Sequence, residues 1–113
     1  MLLDYMLSRY TGVLNNLVVY PERMIENIYA TNGVIFSQRV MGKLIVSGLS
    51  REDAYDLIQP LSMKSWNDSL EFKELLVNSK IIEHLTIKEI DDCFDLDYYM
   101  RNVDAILKRV SIL

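Results

Sequence analysis

The stretch LLDYMLSRYTGVLNNLVV, from Leu2 to Val19, places apolar side chains three and four residues apart along its whole length. Its principal stripe consists of Leu3, Met6, Tyr10, Val13 and Leu17, and Leu7, Leu14 and Val18 widen it. This spacing is typical of one face of an α-helix. No side chain before Asp4 can accept a hydrogen bond from the free amides of a first turn. The pattern therefore predicts a helix with a broad buried face that continues from a longer helix.

Proline and glycine divide the following residues into further helices joined by short turns. Pro21 disfavours helical backbone at the residue before it and suits the first turn of a second helix. Asn32-Gly33 ends that helix, because both residues tolerate the left-handed conformation found at helix C-termini. A third helix is predicted from Val34 to Ser47, and Gly48 stops it.

The middle of the chain predicts a helix that is interrupted by a proline. Ser50 stands three residues before Asp53, close to a capping box, and apolar residues follow at helical spacing. Pro60 falls inside this pattern, so we expect a kink near Gln59 or a break into two shorter helices. A turn is predicted at residues 67–69.

The last third of the sequence predicts three more helices. The first of these is short and contains Phe72. The second begins at Thr86, where Thr86-Ile87-Lys88-Glu89 is the clearest capping box in the chain. Asp95 is expected to cap the third. Its inner stripe is predicted to consist of Met100, Val103, Ile106, Leu107 and Val110. Ile81-Ile82 is the one place where a local extended piece is compatible with the pattern.

Together these patterns predict an all-α fold, a compact domain of about six to seven helices. The composition agrees with a folded domain, since half of the 113 residues are apolar and a quarter are charged. The net charge of −4 and the scattered bases argue against nucleic acid or an anionic membrane as partner. A single cysteine excludes an internal disulfide and favours a reducing compartment, so we expect the cytoplasm. No apolar stretch approaches about 18 residues, and the N-terminus does not resemble a signal peptide.

Few residues have the chemistry and spacing of a catalytic site. His84 is the only histidine, and imidazole is a good acid or base near neutral pH. No nucleophile or pair of carboxylates stands at a spacing from His84 that is typical of a catalytic site. We therefore interpret His84 as a surface or helix-end residue.

The acidic residues do not form a recognisable metal-binding motif. Their densest cluster consists of Glu89, Asp91, Asp92, Asp95 and Asp97. The spacing lacks the glycine and the final glutamate of a calcium-binding loop, and carboxylates are favourable near helix N-termini without a metal. We expect Cys93, one turn from Ile90, to be a buried small hydrophobic residue rather than a nucleophile.

Two other polar features have structural interpretations. The seven tyrosines are expected to lie mostly at the edge of the core with one wet end. Ser37-Gln38-Arg39 places polar groups early in the third helix, where a phosphate could meet backbone amides and a guanidinium. The glycine-rich turn of a phosphate site is missing, so polarity of a first turn is the preferred interpretation.

Three stretches of the sequence resemble the C-terminal domain of the adenylosuccinate lyase family, in its bacterial branch, within the aspartase and fumarase superfamily. They are LDYMLSRYTGVLNNLVVYPERMIENI at Leu3 to Ile28, GVIFSQRVMGKLIVSGLSREDAYDLIQ at Gly33 to Gln59, and CFDLDYYMRNVDAIL at Cys93 to Leu107. The resemblance implies that residues 1–19 are the end of a central-bundle helix and residues 20–113 a C-terminal helical domain. It also implies, as partners, the rest of the lyase chain and a homotetramer in which three subunits form each active site.

The same resemblance implies a β-elimination that releases fumarate from adenylosuccinate and from the imidazole ribotide SAICAR in purine synthesis. In the family a serine on a mobile loop of the type Ser-Ser-x-Met-Pro-x-Lys-x-Asn is the base, and a histidine is the acid. Leu61-Ser62-Met63-Lys64 matches only fragments of that loop and lacks its proline and asparagine. The family's phosphate-binding stretch would lie before this chain.

The resemblance therefore transfers no catalytic, substrate-binding or metal-binding residue to this chain, His84 included, and implies no cofactor. We expect the isolated chain to be inactive, with the nucleotide substrate bound by the parent enzyme. Two alternatives remain at this point: the same domain from a relative such as a carboxymuconate cycloisomerase, or a stand-alone helical interaction module.

Overall fold

A computed structural model describes residues 1–110 of the chain and shows helices without a strand in that range. The α-helices are α1 (Leu2–Asn15), α2 (Pro21–Tyr29), α3 (Ser37–Val46), α4 (Arg51–Asp68), α5 (Phe72–Val77), α6 (Ile87–Cys93), α7 (Asp97–Met100) and α8 (Val103–Arg109). Two 3₁₀ segments, Val34–Phe36 and Lys80–Glu83, lie between them. Seven of these α-helices have six or more residues and α7 is a single turn, which confirms the predicted all-α class. Residues 111–113 of the predicted domain 20–113 lie outside the described residues.

Helices α3 to α6 surround one hydrophobic core. Its buried members are Val40, Met41, Leu44, Ala54, Ile58, Phe72, Leu76, Ile81, Leu85, Ile90 and Cys93. Burial of one leucine or phenylalanine side chain stabilises a fold by roughly 1.5–3 kcal/mol. We call the core formed by these helices the α3–α6 core. It is the part of the chain that is stabilised by its own buried side chains.

The two predicted helix caps of the core are confirmed. Ser50 Oγ accepts a hydrogen bond from the Asp53 amide at 3.1 Å, at the start of α4. At α6, Thr86 Oγ1 accepts from the Glu89 amide at 3.3 Å, and the Glu89 carboxylate accepts from the Thr86 amide at 2.9 Å. Each cap satisfies amides that have no partner within the helix.

Helix α4 continues through Pro60, so the predicted break into two helices is wrong. Proline removes the hydrogen bond to the carbonyl four residues earlier, which belongs to Asp56. Both residues are exposed, so water can solvate this carbonyl, while Ala54 and Ile58 on the opposite face stay packed in the core. The helix also extends through residues 67 and 68, and it is followed by Ser69 in the left-handed conformation, with a φ of 54°.

The start of the chain is helical but unpacked. Helix α1 ends at Asn15, four residues before the predicted Val19, and neither α1 nor α2 has a buried residue. The broad apolar face predicted to be buried is therefore exposed within this chain. We refer to residues 2–29 as the N-terminal arm.

The end of the described chain also differs from prediction. The single last helix is divided into α7 and α8, and Met100, Ile106 and Val110 of its predicted inner stripe are more than half exposed. Asp95 does act near a helix start, since its carboxylate accepts from the Asp97 amide at 2.9 Å. Ile81-Ile82 lies in a 3₁₀ segment rather than an extended one.

The described chain is consequently more extended than a compact domain. It measures 63 × 33 × 23 Å with a radius of gyration of 19.9 Å, against about 13 Å for a compact chain of 100 residues. The arm joins the core at Asn32-Gly33, where both φ angles are positive, at 51° and 86°, as predicted for this helix end. The Asn32 carbonyl accepts from the Phe72 amide at 2.9 Å and fixes this elbow to α5. In the described range, no helix is both long and apolar enough to cross a membrane.

Candidate functional site

The sequence-predicted candidates do not converge on one catalytic centre. His84 follows the second 3₁₀ segment and borders a shallow groove with Asp53 and Asp56 of α4. Over residues 1–110, no three histidine, cysteine or acidic side chains gather as they would around a metal ion. The acidic cluster is therefore spread over α6, the following turn and α7.

Cys93 is fully buried and packs in the core, as predicted. Its Sγ donates a hydrogen bond to the Glu89 carbonyl at 3.2 Å. Burial raises the pKa of the Cys93 thiol, and the nearby charge of Arg39 opposes this shift only in part. The group is thus held as a thiol, which is the unreactive form.

A groove lies between α3 and the junction of α6 with α7. Its volume is about 860 Å³. The polar and aromatic side chains that line it include Arg39, Lys43, Asp92, Asp95, Tyr98 and Tyr99. Lys43 follows Arg39 by four residues on α3, so the two cations occupy the same helix face.

Arg39 ties the groove together across a separation of more than fifty residues. Its Nη1 donates to the Asp95 carbonyl at 2.9 Å and to the Cys93 carbonyl at 3.3 Å. The Cys93 carbonyl lies in the last turn of α6, where helices leave acceptors unsatisfied. The guanidinium carbon also lies 3.8 Å from the centroid of the Tyr98 ring, a cation–π contact. The sequence singled out Arg39 as a first-turn residue, but its partners are too distant along the chain for local patterns to reveal.

An aromatic cluster connects this groove to the arm. The ring of Phe36 lies 6.1 Å from Tyr29 of α2, 5.0 Å from Phe94 and 6.4 Å from Tyr99 of α7, measured between centroids. Phe94 in turn lies 6.3 Å from the core residue Phe72. Tilted aromatic pairs at these distances are favourable beyond the area they bury. The cluster therefore fixes where α2 and α7 leave the core.

The arm itself is the second candidate site. Only Asp4 and Arg9 are charged among its first twenty residues. The exposed large apolar side chains of α1 are Leu2, Leu3, Tyr5, Met6, Leu7, Tyr10, Val13 and Leu14. A helix that is apolar on most sides is ordinarily buried, and contiguous exposed apolar surface of this extent marks an interaction site. The arm has the chemistry of an interface rather than of a catalytic centre.

Comparison with known proteins identifies close relatives. The family model described as the adenylosuccinate lyase C-terminus matches residues 33–110. The adenylosuccinate lyase of Bacillus subtilis (strain 168) is 44% identical over 97% of this chain, and that of Streptococcus mutans is 45% identical over 98%. The Helicobacter pylori (strain ATCC 700392 / 26695) adenylosuccinate lyase is 42% identical over 95% of the chain. The chain spans about a quarter of the length of these curated relatives, namely 26%, 26% and 27%.

Proposed function

Because this chain belongs to the adenylosuccinate lyase family and corresponds to the C-terminal region of the enzyme, we propose that it is the structural C-terminal part of a lyase. That lyase eliminates fumarate from adenylosuccinate and from SAICAR in purine nucleotide synthesis. Within residues 1–19, α1 is the end of a central-bundle helix, and residues 20–113 belong to the C-terminal domain that packs at its end. The family match favours this function over a cycloisomerase or a stand-alone interaction module.

The observation that carries the proposal is the exposure of the arm. Helices α1 and α2 have no buried residue, although most of the side chains of α1 are large and apolar. Removing such a surface from water stabilises an assembly by about 25 cal/mol for each Å². The partners that fit it are the rest of the lyase chain and the neighbouring subunits of a homotetramer.

The few titratable groups of the candidate sites support a structural role for this region. Arg39 holds the α6–α7 junction, and Cys93 is a buried thiol. The nucleotide substrate is bound and turned over by the remainder of the enzyme, without a metal or other cofactor from this region. We place the enzyme in the cytoplasm, which agrees with a lone cysteine kept in its reduced form.

The first prediction concerns self-association of the purified chain. Without its partners, the apolar arm should pair with arms of other copies, so the sedimentation coefficient should rise with protein concentration. Met6→Glu on α1 should weaken this association because it places a charge on the apolar stripe. Met63→Glu on α4 is the matched control, since Met6 and Met63 are 57% and 54% exposed.

A purely monomeric profile at every concentration would contradict the proposed role of the arm. Association that responds equally to Met6→Glu and Met63→Glu would contradict it as well. Circular dichroism of both variants should match the parent chain, because neither residue contributes to the α3–α6 core.

A further inference from the structure

We propose that the elbow at Asn32-Gly33 is a site of spontaneous covalent modification, where Asn32 loses its side-chain amide and a fraction of the molecules acquires an isoaspartate linkage. This inference goes beyond the structural role proposed above and does not depend on it. It rests on the glycine that follows Asn32, on the hydrogen bonds that the elbow lacks within the described chain, and on the bonds that hold another asparagine, Asn78.

The reaction needs only the two elbow residues and water. The Gly33 amide nitrogen attacks Cγ of Asn32, and the new N–C bond closes a cyclic imide. The bond between Cγ and Nδ2 breaks, and Nδ2 leaves as ammonia with the proton of the Gly33 amide. Water then opens the imide at one of its carbonyls. Opening at Cγ gives an aspartate in the original backbone, whereas opening at the backbone carbonyl gives an isoaspartate whose main chain runs through Cβ and Cγ.

The sequence around Asn32 gives this attack little steric obstruction. Asn32 is the only asparagine of the chain that precedes a glycine. A side chain on the residue that supplies the nitrogen crowds the approach to Cγ, and glycine has none. Gly33 also has a φ of 86°, a conformation that is open to glycine and unfavourable for other residues. The pair is therefore the least hindered one in the sequence.

The groups that react are not held by hydrogen bonds. Among residues 1–110, the Gly33 amide donates to no acceptor, and the Asn32 side chain makes no hydrogen bond. Asn32 is partly exposed, so water can reach it. No hydrogen bond of the attacking nitrogen or of the side-chain amide has to break before the attack, and the ammonia can leave to solvent.

Asn78 is held by both of the bonds that Asn32 lacks. It precedes another small residue, Ser79, at the end of α5. Its Nδ2 donates to the Glu74 carbonyl at 2.9 Å, which fixes the side-chain amide. The Ser79 amide donates to the Leu76 carbonyl at 3.2 Å, which occupies the nitrogen that would attack. Attack at Asn78 therefore requires the end of α5 to open first.

The isoaspartate product alters the joint between the arm and the core. In the unmodified chain, the Asn32 carbonyl accepts from the Phe72 amide at 2.9 Å. In the product this carbonyl belongs to a pendant carboxylate, and the main chain is longer by one methylene group. A Cβ added at Gly33 would lie 3.0 Å from Cε1 of Phe94, so the packing leaves little space for a displaced backbone. The modified elbow thus loses the bond and the geometry that fix it to α5.

The test compares two Asn-Gly pairs within one variant. Asp68→Gly places a glycine after Asn67 in the last turn of α4, where both residues are exposed. There the amide that would attack donates to the carbonyl four residues earlier in the helix. The purified variant is incubated at mildly alkaline pH and digested with trypsin, which puts Asn32 and Asn67 in different peptides. Mass spectrometry and enzymatic detection of isoaspartate then follow each asparagine.

In the folded variant, Asn32 should be modified at least about tenfold faster than Asn67 or Asn78, because the latter two must first give up hydrogen bonds. In concentrated urea, Asn32 and Asn67 should react at similar rates, since the structural difference between the two Asn-Gly pairs is then removed. Modification of Asn67 as fast as Asn32 in the folded variant would overturn the proposal, because exposure alone would then decide the rate. An Asn32 that stays intact in the folded chain but is converted in urea would overturn it as well.

Asn32→Gly is the control for the effect on the elbow. Glycine tolerates the left-handed conformation of this position but has no side-chain amide to lose. The urea midpoint of the incubated parent chain should fall as isoaspartate accumulates, and that of the incubated Asn32→Gly variant should stay constant. An unchanged midpoint in a parent chain rich in isoaspartate would contradict the proposed effect on the elbow. Self-association is measured on freshly purified chain, so failure of this proposal leaves the structural role of the arm intact.

Discussion

The carboxylate of Glu89 accepts hydrogen bonds from the backbone amide of Thr86 at 2.9 Å and from its hydroxyl at 2.8 Å. The pKa of Glu89 lies below its ordinary value of 4.5. The main cause is the hydrogen bond from the Thr86 backbone amide, and the second is the hydrogen bond from the Thr86 hydroxyl. The charge of Lys43 adds a smaller effect in the same direction. At the scale of a single residue, the capping box therefore makes stability depend on pH.

The second prediction follows from this lowered pKa. Because the folded pKa is below the unfolded one, the stabilisation is fully present above pH 4.5 and is lost as the pH falls through the folded pKa. Glu89→Gln retains an acceptor for the Thr86 amide but cannot titrate, so the urea midpoint should lose part of its acid dependence. Glu71→Gln at the start of α5, where no side-chain cap is formed, should keep the parent slope. Identical slopes for Glu89→Gln and the parent chain would show that the box does not titrate in this range.

The third prediction concerns Gly33 in the elbow. A Cβ atom at this position would lie 3.0 Å from Cε1 of Phe94, and its φ of 86° is unfavourable for any residue with a side chain. Gly33→Ala should lower the free energy of unfolding by about 1–3 kcal/mol. Gly42→Ala in α3 is the control, because a Cβ there meets nothing within 4 Å and alanine favours the helix by up to about 1 kcal/mol.

The contact with Phe94 can be separated from the backbone effect by a double-mutant cycle. Phe94→Leu removes the ring that the new methyl group would meet, so the Gly33→Ala penalty should be smaller in that background. A penalty of the same size in both backgrounds would assign the whole effect to the positive φ.

At the scale of one element, α4 contains an unfavourable residue that its packing tolerates. Pro60 lies in an unbroken 18-residue helix whose Ala54 and Ile58 are buried in the core. The carbonyl that loses its hydrogen bond lies on the exposed side of the helix, and the packed side chains of Ala54 and Ile58 lie on the side that faces the core. The break expected from the proline is opposed by these tertiary contacts, which the local sequence does not describe.

The fourth prediction is that Pro60→Ala stabilises the chain. Proline costs about 3 kcal/mol relative to alanine inside a helix, and its rigidity in the unfolded chain offsets up to about 1 kcal/mol of this. We expect a gain of about 2 kcal/mol in urea unfolding, since the ring of Pro60 is exposed and no core contact is lost. The neighbouring Gln59→Ala should change the stability by less than about 0.5 kcal/mol. A loss of stability on Pro60→Ala would mean that the proline is required for the course of α4.

Local sequence patterns predicted the positions of the helices more accurately than they predicted which helix faces are buried. Ser50, Thr86 and Asn32-Gly33 act within a few residues of the chain, so the helix ends that they mark were predictable. Apolar periodicity, however, shows which face avoids water without showing what covers it. For this reason the stripes of α1 and α8 were predicted to be inner faces, although this chain leaves the stripe of α1 exposed and only half-buries Val103 and Leu107 of α8.

The groove was less predictable than the helices. Its chief contacts join Arg39 to Cys93 and Asp95, which lie 54 and 56 residues away, and place Tyr98 under the guanidinium. The sequence contains each residue type but gives no local spacing that would pair them. Only the packing of α3 beside α6 brings them together.

At the scale of the whole molecule, the described chain consists of one cohesive core and two poorly covered ends. The α3–α6 core buries its side chains internally, whereas α1, α2, α7 and α8 contain no buried residue. An enzyme about four times as long, as the curated relatives are, has ample surface to cover these ends. The shape therefore agrees with a region that completes its packing only within a larger assembly.

The fifth prediction is that the purified chain does not release fumarate from adenylosuccinate. Within residues 1–110, His84 borders a groove whose other lining residues are aspartates and leucines, and no three histidine, cysteine or acidic side chains gather as they would around a metal ion. Fumarate formation should stay at the level of buffer, and the Bacillus subtilis adenylosuccinate lyase provides the positive control. Turnover that scales with the amount of chain and persists through repurification would refute the structural role.

The burial of Cys93 gives the chain an internal reporter of its own opening. This thiol is the only one in the sequence, and it belongs to the same buried cluster as Leu44, Phe72 and Ile90. A water-soluble alkylating reagent can modify it only while the core is transiently open, so the rate of labelling depends on how often the core opens and how quickly it recloses. Labelling rates at several reagent concentrations would thus separate the frequency of opening from the rate of reclosing without any added probe.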